Sequence, residues 1–480
     1  MKKQCEKRNL SMVMDFYEMT MANGYYLNAD CSTKVAFDVF YRKNPDNGGY
    51  SIFAGLEQIV EYIQNLHFEK EDIDYLKTLN MFPDDFLKYL ENFKFTGDMY
   101  AFPEGTIMYP NEPIITVVAP LIDAQLIETA ILLEVNHQSL IATKASRIVR
   151  SANGRTVSDF GARRAHNMDS AVYGARASYI GGVKSTATVL AGQMFNIPIG
   201  GTMAHSWVMF FKNEYTAFKK YAEIYPNNCT LLVDTYDVLN SGVPNAIKVF
   251  QEMKDAGIKG KLGIRLDSGD LAYLSKEARK MLDEAGFKEA KIVVSNSLDE
   301  YTIRSLINQG AEIDAFGVGE RLITSKSEPV FGAVYKIAAV DEKGEFVPRI
   351  KISENAEKIT NPGLKKVYRV FNKDGVGIAD IIGLYDEKVT SSDVFVDPKR
   401  PWVKETFNNC KFKELQVPIF KNGELVYKLP TLQEIADYTK DQLKKVWEEE
   451  LRFENPHVHY MDMTKNLYNK KMEMLNQKEK

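Results

Sequence analysis

The sequence predicts an α/β protein: an irregular α/β barrel of about seven parallel strands, flanked by an α/β (α+β) domain built from the N- and C-terminal segments. Three observations lead there. Short apolar, β-branched runs alternate with amphipathic stretches through the middle of the chain. Glycine and polar residues recur just after those runs. The flanking segments lose this rhythm and turn to alternating strands and hairpin turns.

Taken in order, residues 1–128 read as an N-terminal α/β domain, with a strand in KVAFDVFYR (34–42) and a helix in GLEQIVEYIQNL (55–66). Residues 129–340 read as the barrel. Its expected strands are 156–160, 177–180, 196–200, 230–234, 261–266, 291–294 and 313–316, with helices near 244–256, 271–285 and 299–308. The helix from 271 is the clearest: Leu271, Leu274, Ala278, Met281, Leu282 and Ala285 share a face, Asp270 can cap its start and Gly286 can end it. Strands alternating with helices make right-handed βαβ units, but periodicity does not choose between a closed barrel and an open sheet. Residues 341–480 are read as a C-terminal segment packing on the N-terminal domain. The runs DEKGE, FNKDG and FKNGE mark hairpins there, and the tail from Leu432 reads as helical and charged.

Composition excludes several classes. The 480 residues are 45% hydrophobic and 26% charged with a net charge of −4, so no basic excess points to nucleic acid. Cysteines stand at 5, 31, 229 and 410, too scattered for a metal or disulfide framework, which suits the cytoplasm. The first twenty residues lack a sustained apolar region, and the apolar run Ile114–Ile122 is too short for a bilayer, so no leader and no membrane partner are expected. His457 and His459 could share one face of a strand; with no third ligand in sight, a surface strand is the better reading and no metal site is assigned. Met19 and Met21 are expected to pack.

The polar residues gather where parallel α/β folds bind ligands, at the C-terminal ends of the strands. Asp159, Phe160, Arg163 and Arg164 follow the first expected strand, and Gly181, Gly182 and Lys184 the second. Gly200, Gly201, Thr202, His205 and Ser206 follow the third, Asp234 and Asp237 end the fourth, and Asp267, Ser268, Gly269 and Asp270 end the fifth. Ser295, Asn296 and Ser297 end the sixth, and Gly317 and Gly319 the seventh. Small loops such as SNS (295–297) and GVG (317–319) can present backbone N–H groups to a phosphate. Arg163, Arg164, Lys184 and Arg265 can offset its charge, and Asp267 and Asp270 can take sugar hydroxyls or a hydrated Mg²⁺. Each feature alone has a plainer explanation: DSGD can be a helix cap, and one histidine is more often structural than catalytic.

In combination the motifs are more specific. DFYEMTMANGYY (15–26), FDVFYR (37–42), FPEGT…NEPI (102–114), VSDFGARR (157–164), GGTMAHS (200–206), IRLDSGD (264–270), SNSLDE (295–300) and FGVGERLITS (316–325) occur in this order. Together they resemble the nicotinate phosphoribosyltransferases, type II phosphoribosyltransferases, over roughly residues 10–400. The resemblance implies a homodimer with active sites at the subunit interface. It also implies a reaction of nicotinate with phosphoribosyl pyrophosphate, giving nicotinate mononucleotide and pyrophosphate, assisted by ATP and Mg²⁺. It implies His205 as the residue phosphorylated by ATP, with Arg265 and Asp267 near the ring and the ribose hydroxyls. Phe160 would stack on the pyridine ring, Tyr17 would offer its other face, and Arg163 would line the base pocket. Ser295, Asn296, Gly317 and Gly319 would hold the 5′-phosphate, Lys184 would add a cation, and Ser206 would help read the carboxylate. A nicotinamide-specific relative, a quinolinate enzyme, a Schiff-base aldolase using Lys184 and a catalytically silent relative are the competing readings.

Overall fold

A computed structural model describes residues 8–477, so Cys5 and the first part of the N-terminal stretch read for a leader lie outside the described residues. The chain divides into two compact units. One comprises residues 1–140 together with 330–480, and the other residues 141–329.

The second unit holds a six-stranded parallel sheet. Its strands are β1 (Thr156–Asp159), β2 (Ser185–Thr186), β3 (Asn228–Leu232), β4 (Lys261–Leu266), β5 (Lys291–Ser295) and β6 (Ala315–Val318), in the spatial order β2-β1-β6-β5-β4-β3. A single bridge from Thr186 to Ile199 extends the β2 edge. No ladder joins that edge to β3 among the described residues, so the sheet is a curled half-barrel rather than a closed one. Sequence and structure agree on five strands. The other two expectations are corrected. ASYI (177–180) ends the helix Met168–Ile180, where Ala171, Ala175 and Ala177 are buried on a closely packed face. Its place is taken by the two-residue β2, and NIPIG (196–200) contributes only the bridge at Ile199.

The crossover helices follow from the sequence. Val243–Asp255 carries Pro244 in its first turn, where the missing N–H costs nothing. Leu271–Glu284 is capped by the Asp270 carboxylate, which accepts from the N–H groups of Ala272 (3.1 Å) and Tyr273 (3.0 Å). Glu300–Asn308 is capped by Asp299 in the same way, through Thr302 N at 2.8 Å. Beneath this last helix, the buried Glu300 carboxylate accepts from Lys144 Nζ and Arg147 Nε, both at 2.9 Å. Three desolvated charges are held there by mutual pairing, an arrangement costly to break by removing one partner.

In the first unit, one seven-stranded sheet has three N-terminal strands at its centre, flanked on both sides by strands from the C-terminal half of the chain. Lys34–Phe40 pairs with Val334–Glu342 on one side and with Ile115–Pro120 on the other. Phe37 and Tyr335 stack at 4.6 Å between ring centroids within its core. Lys343 with Gly344, and Asn422 with Gly423, carry the paired positive φ angles that tight hairpins need, as the turn motifs predict. The tail is only partly helical: Tyr460–Thr464 is a strand inside a second, six-stranded sheet, between Leu432–Leu443 and Lys465–Gln477. Met19 packs in the core, whereas Met21 is exposed.

The surface-strand reading of His457 and His459 is also corrected. Both precede the strand, and His459 is buried with its ring stacked on Tyr109 at 3.6 Å. Its Nδ1 lies 2.8 Å from Glu450 Oε1 and its Nε2 3.6 Å from Asp380 Oδ2. Burial disfavours the imidazolium, but Asp380 and Glu450 outweigh it and raise the pKa. Asp380 in turn pairs with Arg369 through Nη2 at 2.6 Å and Nε at 2.9 Å.

Candidate active site

The strand ends of the half-barrel carry one continuous polar network. Its centre is Arg265, on β4, a mostly buried guanidinium with four bonding partners. Nε donates to Ser295 Oγ (3.0 Å), Nη1 to Thr202 Oγ1 (2.9 Å) and Met203 O (3.3 Å), and Nη2 lies 3.2 Å from Asp267 Oδ1. Ser295 Oγ then donates to Asp267 Oδ1, closing a triangle between β4 and β5. A carboxylate so held is fixed in direction by two donors on one oxygen, leaving the other oxygen available.

That other oxygen, Oδ2 of Asp267, lies 3.7 Å from His205 Nε2. His205 opens the short helix His205–Phe210, and its Nδ1 contacts Thr235 Oγ1 at 3.1 Å. The imidazole is about 40% exposed, so it is braced yet reachable. Asp234, at the end of the β3 run, shapes the loop after β4: its Oδ2 accepts from Asp267 N (2.8 Å) and Ser268 Oγ (2.6 Å). Its Oδ1 is buried with no hydrogen-bond partner. An orphaned carboxylate oxygen next to a second carboxylate fits a hydrated divalent cation, which takes one or two protein carboxylates and completes its shell from water and phosphate.

Phe160 follows β1. Its N–H donates to Val318 O at 2.8 Å, and its ring packs against Gly317, where an added Cβ would come within 2.4 Å of ring carbons. Only glycine admits that approach. The Arg265 guanidinium carbon sits 5.6 Å from the same ring centroid. Asp159 anchors the turn, accepting from Gly161 N (2.8 Å) and Thr186 Oγ1 (2.7 Å), while burial pushes its carboxyl pKa up. At the end of β5, Asn296 (φ 92°) and Ser297 (φ 52°) are both left-handed, the backbone of a loop that can turn N–H groups toward an anion. Gly319 lies where the chain leaves β6.

The structure therefore brings His205, Arg265, Asp267, Ser295, Phe160 and Gly317 together, with Asn296 and Gly319 on adjoining strand ends. Arg163 is exposed on the turn Ala162–Arg164, and Ser206 is exposed beside His205. Arg164 faces Glu320 at 3.9 Å, and Asp237 caps the next helical turn through Leu239 and Asn240 N–H groups. Lys184 is corrected. It precedes β2 rather than following a strand, its N–H donating to Val157 O at 2.9 Å, and Gly181 with Gly182 form the helix exit before it. Tyr17 belongs to the other unit, about 45% exposed on the helix Phe16–Asn28, its phenol held neutral by burial and by Glu128. Sequence reading missed Thr235 and Thr186, braces whose identity carries no motif of its own. A cavity of about 1340 Å³ lies in the first unit, not at these strand ends.

A curled parallel sheet with its polar groups gathered at the C-terminal strand ends defines an α/β-barrel enzyme. Comparison with known proteins narrows the class. The N-terminal domain of nicotinate phosphoribosyltransferases matches residues 12–136, the nicotinate phosphoribosyltransferase family residues 156–374, and its C-terminal domain residues 364–471. A nicotinate phosphoribosyltransferase of Bacillus subtilis (strain 168) is 46% identical over 472 residues, 98% of this chain and 96% of its own. The crystal structure of human nicotinic acid phosphoribosyltransferase superposes with a TM-score of 0.86 at 26% identity, covering 97% of this chain and all of that one. A nicotinate-nucleotide pyrophosphorylase from Pyrococcus furiosus superposes at 0.69, with 26% identity, covering 91% and 96%. The chain belongs to the nicotinate phosphoribosyltransferase family.

Proposed function

We propose that this chain is a nicotinate phosphoribosyltransferase acting in NAD biosynthesis, joining nicotinate to the ribose of phosphoribosyl pyrophosphate and releasing pyrophosphate. The carrying observation is the Arg265–Ser295–Asp267 triangle with His205 beside it, at the strand ends of a family member. In this reading the pyridine nitrogen attacks the anomeric carbon as pyrophosphate leaves. The nitrogen is already a nucleophile, so alignment and charge stabilisation carry the catalysis.

Phe160 orients the flat ring from one side, and in a homodimer Tyr17 of the partner subunit covers the other. Arg163 lines the base pocket, and Ser206 helps read the substrate carboxylate. Asp267, aimed by Arg265 and Ser295, takes the ribose hydroxyls, while the loops at Ser295–Asn296 and Gly317–Gly319 hold the 5′-phosphate. Asp234 and Asp267 would hold Mg²⁺, which supplies charge neutralisation for the leaving pyrophosphate when bound.

ATP enters through His205. A phosphoryl group there would add about two negative charges beside Asp267, and a bound divalent cation would supply the charge that offsets their repulsion. Hydrolysis of the phosphohistidine would remove that added charge. We place the enzyme in the cytoplasm on its scattered cysteines, which suit a reducing compartment. No helix among the described residues is long and apolar enough to cross a membrane.

The test supplies nicotinate, nicotinamide and quinolinate separately with phosphoribosyl pyrophosphate, with and without ATP. Mononucleotide formed from nicotinate and accelerated by ATP supports the reading. Preference for nicotinamide or quinolinate, or no product with any base, overturns it.

A further inference from the structure

Phe160 stands between two polar flanks, and the Arg265–Ser295–Asp267 triangle is only one of them. The register of the parallel sheet fixes the other. Ser295 pairs with Gly317, Gly317 with Ser158, and Ser158 with Ser185, across β5, β6, β1 and β2. Residues paired in this way project to the same face of a sheet, so the hydroxyls of Ser295, Ser158 and Ser185 stand in one row. Gly317 leaves a gap in the row, and the Phe160 ring packs there. Asp159, one residue on from Ser158, projects to the opposite face, where its carboxylate accepts from Thr186 Oγ1 at 2.7 Å.

Ser158 Oγ and Ser185 Oγ are 2.8 Å apart and both residues are half-buried. A serine hydroxyl has one proton to donate, so two serines bonded to each other use one proton and leave one. Neither hydroxyl has a further hydrogen-bond partner among the described residues. The loop that follows the Ile199 bridge comes down on the pair: a Cβ at Gly200 would fall 2.6 Å from Ser185 Oγ. Two residues on, Thr202 Oγ1 accepts from Arg265 Nη1 at 2.9 Å. The contacts thereby return to the triangle. In strand order the triangle, the seat of Phe160 and the serine pair follow one another.

We propose that the Ser158–Ser185 pair is a specificity element that reads the acid group of the pyridine substrate, its remaining proton donating to the carboxylate. The inference rests on the nicotinate reading and deepens it by naming a group that recognises the acid, in addition to Ser206. A ring stacked on Phe160 with its nitrogen turned to the ribose at the triangle projects its 3-carboxylate toward the other flank. A hydroxyl donor bonds an anion more strongly than a neutral group. Neither serine is bonded to a carboxylate that would repel one.

The experiment titrates nicotinate mononucleotide and nicotinamide mononucleotide, which differ only in acid against amide, into the full-length protein by calorimetry. Ser158→Ala/Ser185→Ala should weaken binding of the nicotinate form by about tenfold or more, as expected for a lost hydrogen bond to a charged group. The nicotinamide form and the Michaelis constant for phosphoribosyl pyrophosphate should change by less than about threefold. A merely structural loss would weaken all three alike and would overturn the proposal. Should the double variant misfold, Ser158→Thr, which keeps the hydroxyl, should retain the preference for the acid that Ser158→Ala loses. A wild-type protein that prefers the nicotinate form, with the same preference in the folded alanine variants, would overturn this assignment alone. A wild-type protein that prefers the nicotinamide form, or binds neither, would overturn the nicotinate reading and this assignment with it.

Discussion

His205 Nε2 stands 3.7 Å from Oδ2 of Asp267, while the other oxygen of the same carboxylate is held by Ser295 and Arg265. The imidazole is thus tied to the Arg265–Ser295 pair through one carboxylate. With Nδ1 against Thr235, the ring is braced at both nitrogens without being buried.

From this follows the first prediction. Incubation with ATP should place an acid-labile phosphate on His205, and His205→Ala should abolish it while leaving a slow, ATP-independent transfer. Mass mapping of the labelled peptide decides. Phosphate on a different residue would contradict the assignment.

The contact between Phe160 and Gly317 yields the second. A Cβ at 317 would meet the ring at 2.4 Å, so Gly317→Ala must push the ring from its seat. Overpacking of this kind costs about 1–3 kcal/mol. The Michaelis constant for nicotinate should rise on the order of tenfold, because small displacements of a positioning surface are amplified in rate and affinity. A kinetically silent variant would show that Phe160 does not seat the ring.

Glu18 makes a pH prediction for the first unit. Burial, with Glu128 adding repulsion and Thr129 opposing through hydrogen bonds, raises its carboxyl to about 7. A folded pKa above the unfolded value of 4.5 means that the native state binds the extra proton. Stability is therefore greatest below pH 4.5 as far as this group is concerned, and falls as pH rises through about 7. The loss is on the order of 3 kcal/mol. Glu18→Gln should flatten that part of the profile in chemical denaturation between pH 5 and 8; an unchanged slope would rule Glu18 out as its source.

Much of this was legible in the sequence for physical reasons. The helix Leu271–Glu284 declares itself by one apolar face, an aspartate cap and a terminal glycine. Strands β3 to β6 are short, largely apolar runs buried over most of their length, as strands covered on both faces are. ASYI failed because the same small apolar residues also suit a closely packed helix, and four residues cannot tell the two periods apart. That error carried Lys184 to the wrong end of a strand. The imidazole of His459 was misplaced because its partners, Glu450 and Asp380, come from different segments, and no local pattern signals a pairing made by tertiary structure. Conversely, Arg265 and Asp267 were found because both lie at one strand end, two residues apart.

The central claim is that the Arg265–Ser295–Asp267 assembly binds the ribose of phosphoribosyl pyrophosphate during transfer to nicotinate. Its most direct test is kcat/KM for phosphoribosyl pyrophosphate in Asp267→Ala, measured beside the melting temperature. A fall of about a hundredfold or more with little change in melting temperature is the predicted result. Wild-type kinetics in the folded variant would contradict it.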